Sequence, residues 1–429
     1  MLIEFRVENH RSIREEQVLT AEAAAMGDAE DVRPRHMSGH TKTLVPVMAL
    51  YGPNASGKST VLSALAFMTS AVASSFRHWD PDGGVPRQPF AWGPFRAKPS
   101  LFELTFLIEG TRFEYGFAVD DERILEEWLY AWPKGRRQIW FERDGQTFKF
   151  GESLRGPNKV VEEVTRDNAL FLSTSFQLDH EQLRPVVSWF HRVDYYGLRD
   201  YAWYQFTQRD RTEQWLRQRL GSENDPNAIL EDDHGDPEES SIIKSLLASA
   251  DVGIVDFEMR KTEEIAHAGS MRTRLKPFFK HASSDADSWL PLDAESEGTR
   301  ALFYMAPALS EALKHGSLYV IDELDRSFHP VLVNTIIKLF NNPETNPKNA
   351  QLLFATHNTH LLGNLTGEPA LRRDQIWLTE KNEEGATCIY PLTDYKPRKS
   401  ENLERGYLQG RYGAIPFPGE LVSVSRDSQ

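Results

Sequence analysis

The sequence predicts an α/β protein with a β-rich part beside its main sheet and a mostly helical stretch between its two halves. Three observations predict this. Short, mostly apolar runs at Val47–Tyr51, Leu318–Ile321 and Gln351–Ala355 have strand length, as strands inside a covered sheet do. Directly after the first run, Val61, Leu65, Met68, Val72 and Phe76 fall at helical spacing, so a strand leads through a tight loop into a helix. Further on, Phe102, Leu104, Phe106 and Ile108 alternate, Glu109-Gly110 turns the chain, and Phe113, Tyr115, Phe117 and Val119 alternate back. That pattern is a β-hairpin.

Taken in order, residues 1–7 alternate as a short strand and Glu8-Asn9-His10-Arg11-Ser12-Ile13 follows as a polar turn. Residues 21–42 are polar with Gly and Pro, a surface loop before the strand at Val45. Residues 79–99 are a Pro/Gly/Trp-rich connection to the hairpin, and Ile124–Trp132 with 138–142 add strands to the hairpin's sheet. Over 160–284 the texture changes: helix-like pieces stand at 179–189 and 211–220, and 223–240 is a strongly acidic loop. No heptad pattern is sustained there, so a long coiled-coil arm is not expected. The expected division is 1–159, 160–284 and 285–429.

The loop between the first strand and its helix is Gly52-Pro53-Asn54-Ala55-Ser56-Gly57-Lys58-Ser59, followed by Thr60. It fits G-x-x-x-x-G-K-[ST], the phosphate-cradling loop, in the strand-to-helix context that gives the motif its meaning. Glycines let the backbone wrap an anion closely, and the N–H groups at the helix start point at it. Lys58 is expected to reach the β/γ phosphates and Ser59 to ligate Mg²⁺.

The run Leu318–Ile321 ends in Asp322-Glu323. Ligands of a nucleotide-binding α/β sheet sit at the carboxyl ends of its strands, which puts Asp322 on Mg²⁺ and Glu323 in the role of general base. Ser296-Glu297-Gly298-Thr299 opens a helix with the apolar face Leu302, Met305, Ala306, Leu309 and Leu313, closing at Gly316. A serine and a glycine at a helix start offer a hydroxyl, free N–H groups and the positive dipole end, a phosphate site; an ordinary N-cap uses the same serine. Thr356-His357-Asn358 ends the last buried run, where His357 can contact a γ-phosphate; with His360 it also has an i, i+3 metal-ligand spacing, without a third ligand nearby.

Composition narrows the partners. The 429 residues carry 63 acidic against 49 basic side chains, a net charge of −14, which argues against a general electrostatic sponge for nucleic acid. Basic residues with aromatic neighbours recur at Arg136-Arg137, Arg217-Arg219 and Arg272-Arg274-Lys276; solvated faces explain them as well as nucleic-acid contact does. The single cysteine, Cys388, excludes a disulfide framework and fits a reducing, cytoplasmic setting. No run reads as a membrane span and the start lacks a signal-peptide pattern, so no membrane association is expected.

The order phosphate loop, long intervening stretch, Ser-x-Gly helix, strand with Asp-Glu, Leu324-Asp325, strand, His357 resembles the ABC-type ATPase heads (P-loop NTPases) of the SMC/RecF/OLD branch. The opening Phe5-x-Val7-x-Asn9-His10-Arg11-Ser12-Ile13 looks like the start of those heads. Asp322-Glu323-Leu324-Asp325-Arg326-Ser327-Phe328-His329-Pro330, the stretch 248–254 (ASADVGI) and the tail 407–416 (YLQGRYGAIP) are similar to the OLD/AbiL-like AAA family ATPases of prokaryotic anti-phage systems, the group that includes the ATPase subunit of PARIS. The resemblance implies that Asp325 lies in a dimer-contacting loop, that ATP is held between the heads of a homodimer or higher homo-oligomer, and that Ser296 and Gly298 serve the partner's nucleotide. It also implies a separate toxic effector, nuclease or Toprim-like, and a phage protein or DNA as trigger. Three departures stand out: the signature reads Ser-Glu-Gly rather than Leu-Ser-Gly-Gly-Gln, the Q-loop glutamine has only Gln138 and Gln177 as candidates, and the C-terminal Toprim domain of OLD nucleases has no room here.

The leading expectation is an ATPase switch controlling an effector in anti-phage defence. A RecF/SMC-like repair ATPase acting on DNA is the alternative, and it needs a basic groove. A self-contained nuclease ranks last, since no compact nuclease set appears outside the motifs above.

Overall fold

The computed structural model describes residues 1–26, 30–198, 246, 253–265, 271–285, 287–363, 369–398 and 401–416. Leu2–Glu8 (β1) and Gln17–Thr20 (β2) precede Val47–Tyr51 (β3) and the helix Lys58–His78 (α1). Ser100–Ile108 (β4), Thr111–Val119 (β5), Ile124–Trp132 (β6), Gln138–Asp144 (β7) and Thr147–Phe150 (β8) then join the first two strands in a seven-stranded sheet of order β2-β1-β4-β5-β6-β7-β8. Every neighbouring pair in it is antiparallel, as the alternating sequences require.

Short helices Asn158–Val164 (α2), Phe171–Gln177 (α3) and Arg184–His191 (α4) lead to the strand Asp194–Tyr196 (β9). These helices are built into the first core: Leu170, Phe171, Val186, Val187 and Phe190 share a buried cluster with Phe106, Tyr115 and Leu65. The fully buried Glu127 fixes α3 by accepting the N–H groups of Phe171 (2.7 Å) and Leu172 (3.0 Å) at its start, where the dipole favours a carboxylate.

Ile254–Ile265 (β10), Met271–His281 (β11) and Trp289–Pro291 (β12) form a three-stranded antiparallel sheet. The helical expectation for 160–284 therefore does not extend to 254–281. The signal was present, since Phe257 and Met259 alternate with Glu258 and Arg260, a period of two. Phe257 and Phe279 pair across the hairpin and pack on Phe303 at 6.0 and 5.2 Å. The helix-like piece at 211–220 and the acidic loop at 223–240 lie outside the described residues.

Glu297–His315 (α5), Leu318–Ile321 (β13), Pro330–Asn341 (α6), Gln351–Ala355 (β14), Ile376–Lys381 (β15), Thr387–Pro391 (β16) and Leu403–Leu408 (α7) complete the described chain. Helix α5 starts on the Ser296 hydroxyl, which accepts the Thr299 N–H, and ends at Gly316 in the left-handed region, φ 68°. The central sheet has the order β16-β15-β3-β14-β13-β9. β15, β3, β14, β13 and β9 are mutually parallel, and β16 is an antiparallel edge.

Both faces of this sheet are covered, and the strand period shows how. Met48 and Leu50 of β3 belong to one core with α1 and the seven-stranded sheet, whereas Val47, Ala49 and Tyr51 belong to another with α5, α6 and the tail. Leu353 and Leu352 of β14, and Val320 and Tyr319 of β13, divide in the same way. By length and composition alone α1 passes for a membrane span, contrary to the sequence reading. It is apolar all round because it is a core helix lying mostly buried between the sheets.

Candidate functional site

Parallel strands bring their carboxyl ends to one edge of a sheet, and here three adjacent ends carry the expected groups. The loop 52–59 leaves β3, Thr356 and His357 leave β14, and Asp322 and Glu323 leave β13. The structure thus assembles residues that are far apart in sequence.

In the loop, the buried Lys58 ammonium donates to the carbonyls of Gly52 (2.8 Å) and Pro53 (3.1 Å). Burial pulls its pKa down to about 8, with Asp322, Asp325 and Glu323 pulling the other way. Burial pushes the Asp322 carboxyl above its ordinary value; a hydrogen bond from Ser59 opposes this, and Glu323 reinforces it. Asp322 is held in place through its own N–H, which donates to Tyr196 O on β9 at 2.8 Å. Tyr196 is a positioning contact that sequence reasoning missed, because it comes from pairing two strands with over a hundred residues between them.

The Oδ1 atom of Asp322 is buried without a hydrogen-bond partner. One orphaned carboxylate oxygen beside the Ser59 hydroxyl is a pair of hard oxygen donors, and it fits Mg²⁺, which takes one or two carboxylates and leaves its other positions to phosphates and water. Among the described residues no group of three or more His, Cys, Asp and Glu could hold a metal by itself.

Glu323 adopts φ 55°, a left-handed conformation uncommon for a glutamate. Its half-exposed side chain pairs only loosely with Arg326, at 3.4 Å. Asp325 lies within the same chain's assembly: its carboxylate accepts the Thr356 hydroxyl at 2.6 Å and the His357 N–H at 3.3 Å to each oxygen. Burial, and then the charge of Lys58, lower the pKa of His357, so the imidazole is neutral at pH 7. His360 faces elsewhere and pairs with Glu404 at 3.1 Å.

The tail 407–416 backs this edge. The Tyr407 ring packs edge-on against Tyr51 at 5.9 Å, and the Tyr51 hydroxyl donates to Asn358 O at 3.2 Å.

Ser296 and Gly298 stand at the N-terminus of α5. The N-terminus of α5 lies towards the edge strand β9, where burial, and then the charge of Glu297, raise the pKa of Tyr196. Ser296 caps its own helix, and Gly298 abuts Ser327 O. Gln138 begins β7 and Gln177 ends α3, and neither is hydrogen-bonded to a site residue among those described.

A covered parallel sheet, a phosphate loop on its central strand and an Asp-Glu pair two strands away define a P-loop nucleotide-binding ATPase fold. The family model described as "AAA domain, putative AbiEii toxin, Type IV TA system" matches residues 47–363, and the chain belongs to that family. No curated protein matches it.

Among solved structures, the SMC head domain from Thermotoga maritima is 15% identical, with 91% of this chain and 98% of that chain covered and a TM-score of 0.40. The Smc head domain with an extended coiled coil from Pyrococcus furiosus, bound to the C-terminal domain of ScpA, is 12% identical, with 92% and 97% covered and a TM-score of 0.41. The Smc head domain with a coiled coil and joint from Pyrococcus yayanosii is also 12% identical, with 96% and 99% covered and a TM-score of 0.43. Likenesses at this level add nothing to the assignment.

Proposed function

We propose that this chain binds ATP with Mg²⁺, hydrolyses it, and uses the cycle to close and open an ABC-type dimer that controls a separate effector in anti-phage defence. The observation that carries the ATPase reading is the buried, partnerless Oδ1 of Asp322 beside Ser59, at the edge where the phosphate loop opens. In this reading the loop N–H groups and Lys58 hold the phosphates, and Ser59 and Asp322 hold Mg²⁺. When bound, the metal neutralises phosphate charge. Glu323 accepts a proton from the attacking water, and neutral His357 faces the γ-phosphate. The dimer reading rests on the resemblance of Ser296-Glu297-Gly298-Thr299 to the Ser-x-Gly signature of ABC-type heads, which serves the partner's nucleotide. The defence role is supported by the tail and acidic-turn motifs and by a family whose description names a putative toxin of a toxin–antitoxin system. A nuclease or Toprim-like gene beside this one agrees with that role, and a neighbourhood of repair genes contradicts it.

Lys58→Ala tests the site. It removes a charge that bonds only to loop carbonyls in the structure, so the fold is expected to survive. ATP affinity is expected to fall on the order of 100-fold, the worth of charge-assisted contacts to phosphate. Calorimetry showing unchanged Mg·ATP binding by the folded variant contradicts the assignment.

Lys58 also sets a pH dependence. Its pKa of about 8 in the free protein means that the ammonium is lost as pH rises through 8, while bound phosphates favour the charged form. ATP binding above pH 8 must therefore take up a proton, and affinity is expected to fall by up to about ten-fold per pH unit there. Titrations at pH 7, 8 and 9 check this; a profile as flat as that of Lys58→Ala speaks against it.

A further inference from the structure

The phosphate loop is braced from behind by the β15–β16 hairpin, through two threonines that no motif points to. Thr379 follows Leu378, which pairs with Tyr51, so it stands beside Gly52 as the loop begins. Its hydroxyl donates to Tyr51 O at 3.1 Å. With that proton committed, the Ser56 hydroxyl 2.6 Å away must be the donor to Thr379 Oγ1.

Thr387 does the same for the second half of the loop. Its hydroxyl donates to Ser56 O at 2.9 Å. Lys381 Nζ, which can only donate, approaches the same oxygen at 2.9 Å. Ser12 Oγ, at 2.8 Å, must then also donate to it, which leaves Thr60 Oγ1 as the donor in its 3.1 Å contact with Ser12. The Thr387 N–H in turn donates to Ser12 O at 2.7 Å. Thr379, Thr387 and Ser56 are all buried, so no water competes for these bonds.

The geometry has a direct consequence for anion binding. A trans peptide is planar, with its N–H opposite its C=O. Tying Tyr51 O to Thr379 turns the Gly52 N–H away from the hairpin, and tying Ser56 O to Thr387 turns the Gly57 N–H away likewise. Both carbonyls are thereby withdrawn from the phosphate side, where their partial negative charge would repel the anion. The fit is tight: Gly57 has φ 112°, and a Cβ there would lie 2.1 Å from Thr387 Oγ1.

We infer that Thr379 and Thr387 are positioning residues that fix the loop in its anion-accepting orientation, so that they set nucleotide affinity without touching nucleotide. This rests on the proposed ATP site. It predicts that Thr387→Val and Thr379→Val, which keep volume and lose the hydroxyl, each weaken Mg·ATP binding about ten-fold, the effect of losing the one hydrogen bond each donates to a backbone carbonyl of the loop or its entry. KM is expected to rise with kcat nearly unchanged, and Thr387→Ser and Thr379→Ser are expected to restore wild-type values.

The experiment measures Mg·ATP Kd, KM and kcat for these four variants beside wild type and Lys58→Ala, with thermal melting as the folding check. If Thr387→Val does not fold, Thr379→Val carries the same test. Folded valine variants that bind as wild type does, or serine variants as impaired as the valines, overturn the inference while wild type and Lys58→Ala still differ. Equal binding by wild type and Lys58→Ala, or none by wild type, overturns the ATP site itself and this inference with it.

Discussion

Glu323→Gln is expected to bind Mg·ATP as the wild type does and to hydrolyse it on the order of 10²–10⁴-fold more slowly, the usual loss when a general base is removed. The two acidic residues at the end of β13 are not interchangeable. Asp322 is drawn into the protein, its N–H fixed on Tyr196 O and one carboxylate oxygen buried beside the Ser59 side of the loop. Glu323 is turned outward by φ 55°, and its side chain keeps a 3.4 Å contact to Arg326. A buried carboxylate next to a hydroxyl suits a metal, and a half-exposed one suits a water. Glutamine matches glutamate in size, so the variant alters proton affinity and little else. Single-turnover hydrolysis measured beside equilibrium binding separates the two effects. Near-wild-type turnover moves the base to another residue, with neutral His357 as the next to test.

Gly298→Asp is the second large effect, with one cause in the structure and one in the proposed dimer. A Cβ at position 298 would lie 2.7 Å from Ser327 O, a backbone atom two residues past Asp325, so any side chain disturbs the turn that carries Asp325. Aspartate also sets a carboxylate at a helix N-terminus proposed to face the partner's γ-phosphate, where repulsion in a partly dry site is strong. Occlusion of ATP by the Gly298→Asp homodimer is expected to be lost. Gly298→Ala separates the causes: it keeps the clash and removes the charge. Equal ATP occlusion by Gly298→Asp and wild type contradicts the placement of α5 at the dimer contact.

The parts of the fold legible in the sequence were those whose pattern is local. Val47–Tyr51, Leu318–Ile321 and Gln351–Ala355 emerged with the expected bounds because a strand buried on both faces is an apolar run. Helix α5 was bounded by its own caps, Ser296 and Gly316. The hairpin at 254–281 was missed because its alternation is diluted by charge, and what pins it is the contact of Phe257 and Phe279 with Phe303, more than twenty residues further on. Helices α2–α4 fell at the start of the expected 160–284 stretch because their apolar faces are short, and they pack on α1 and the seven-stranded sheet. At the site, the loop, the acid pair and His357 were legible as motifs. Tyr196, Thr379 and Thr387 were not, since each acts through strand neighbours that only the sheet order creates.

The proposed head-to-tail dimer is tested most directly by mixing two dead variants and measuring occluded ATP. If each nucleotide lies between Lys58 of one chain and Gly298 of the other, Lys58→Ala and Gly298→Asp are each inactive alone. A mixed dimer gathers both defects into one site and leaves the other sound. Random exchange makes half of the dimers mixed, so an equimolar mixture is expected to recover about a quarter of wild-type occlusion. One wild-type chain paired with a doubly substituted chain carries one defect in each site and is expected to recover none. No recovery by the two single variants, with chain exchange demonstrated, contradicts the dimer.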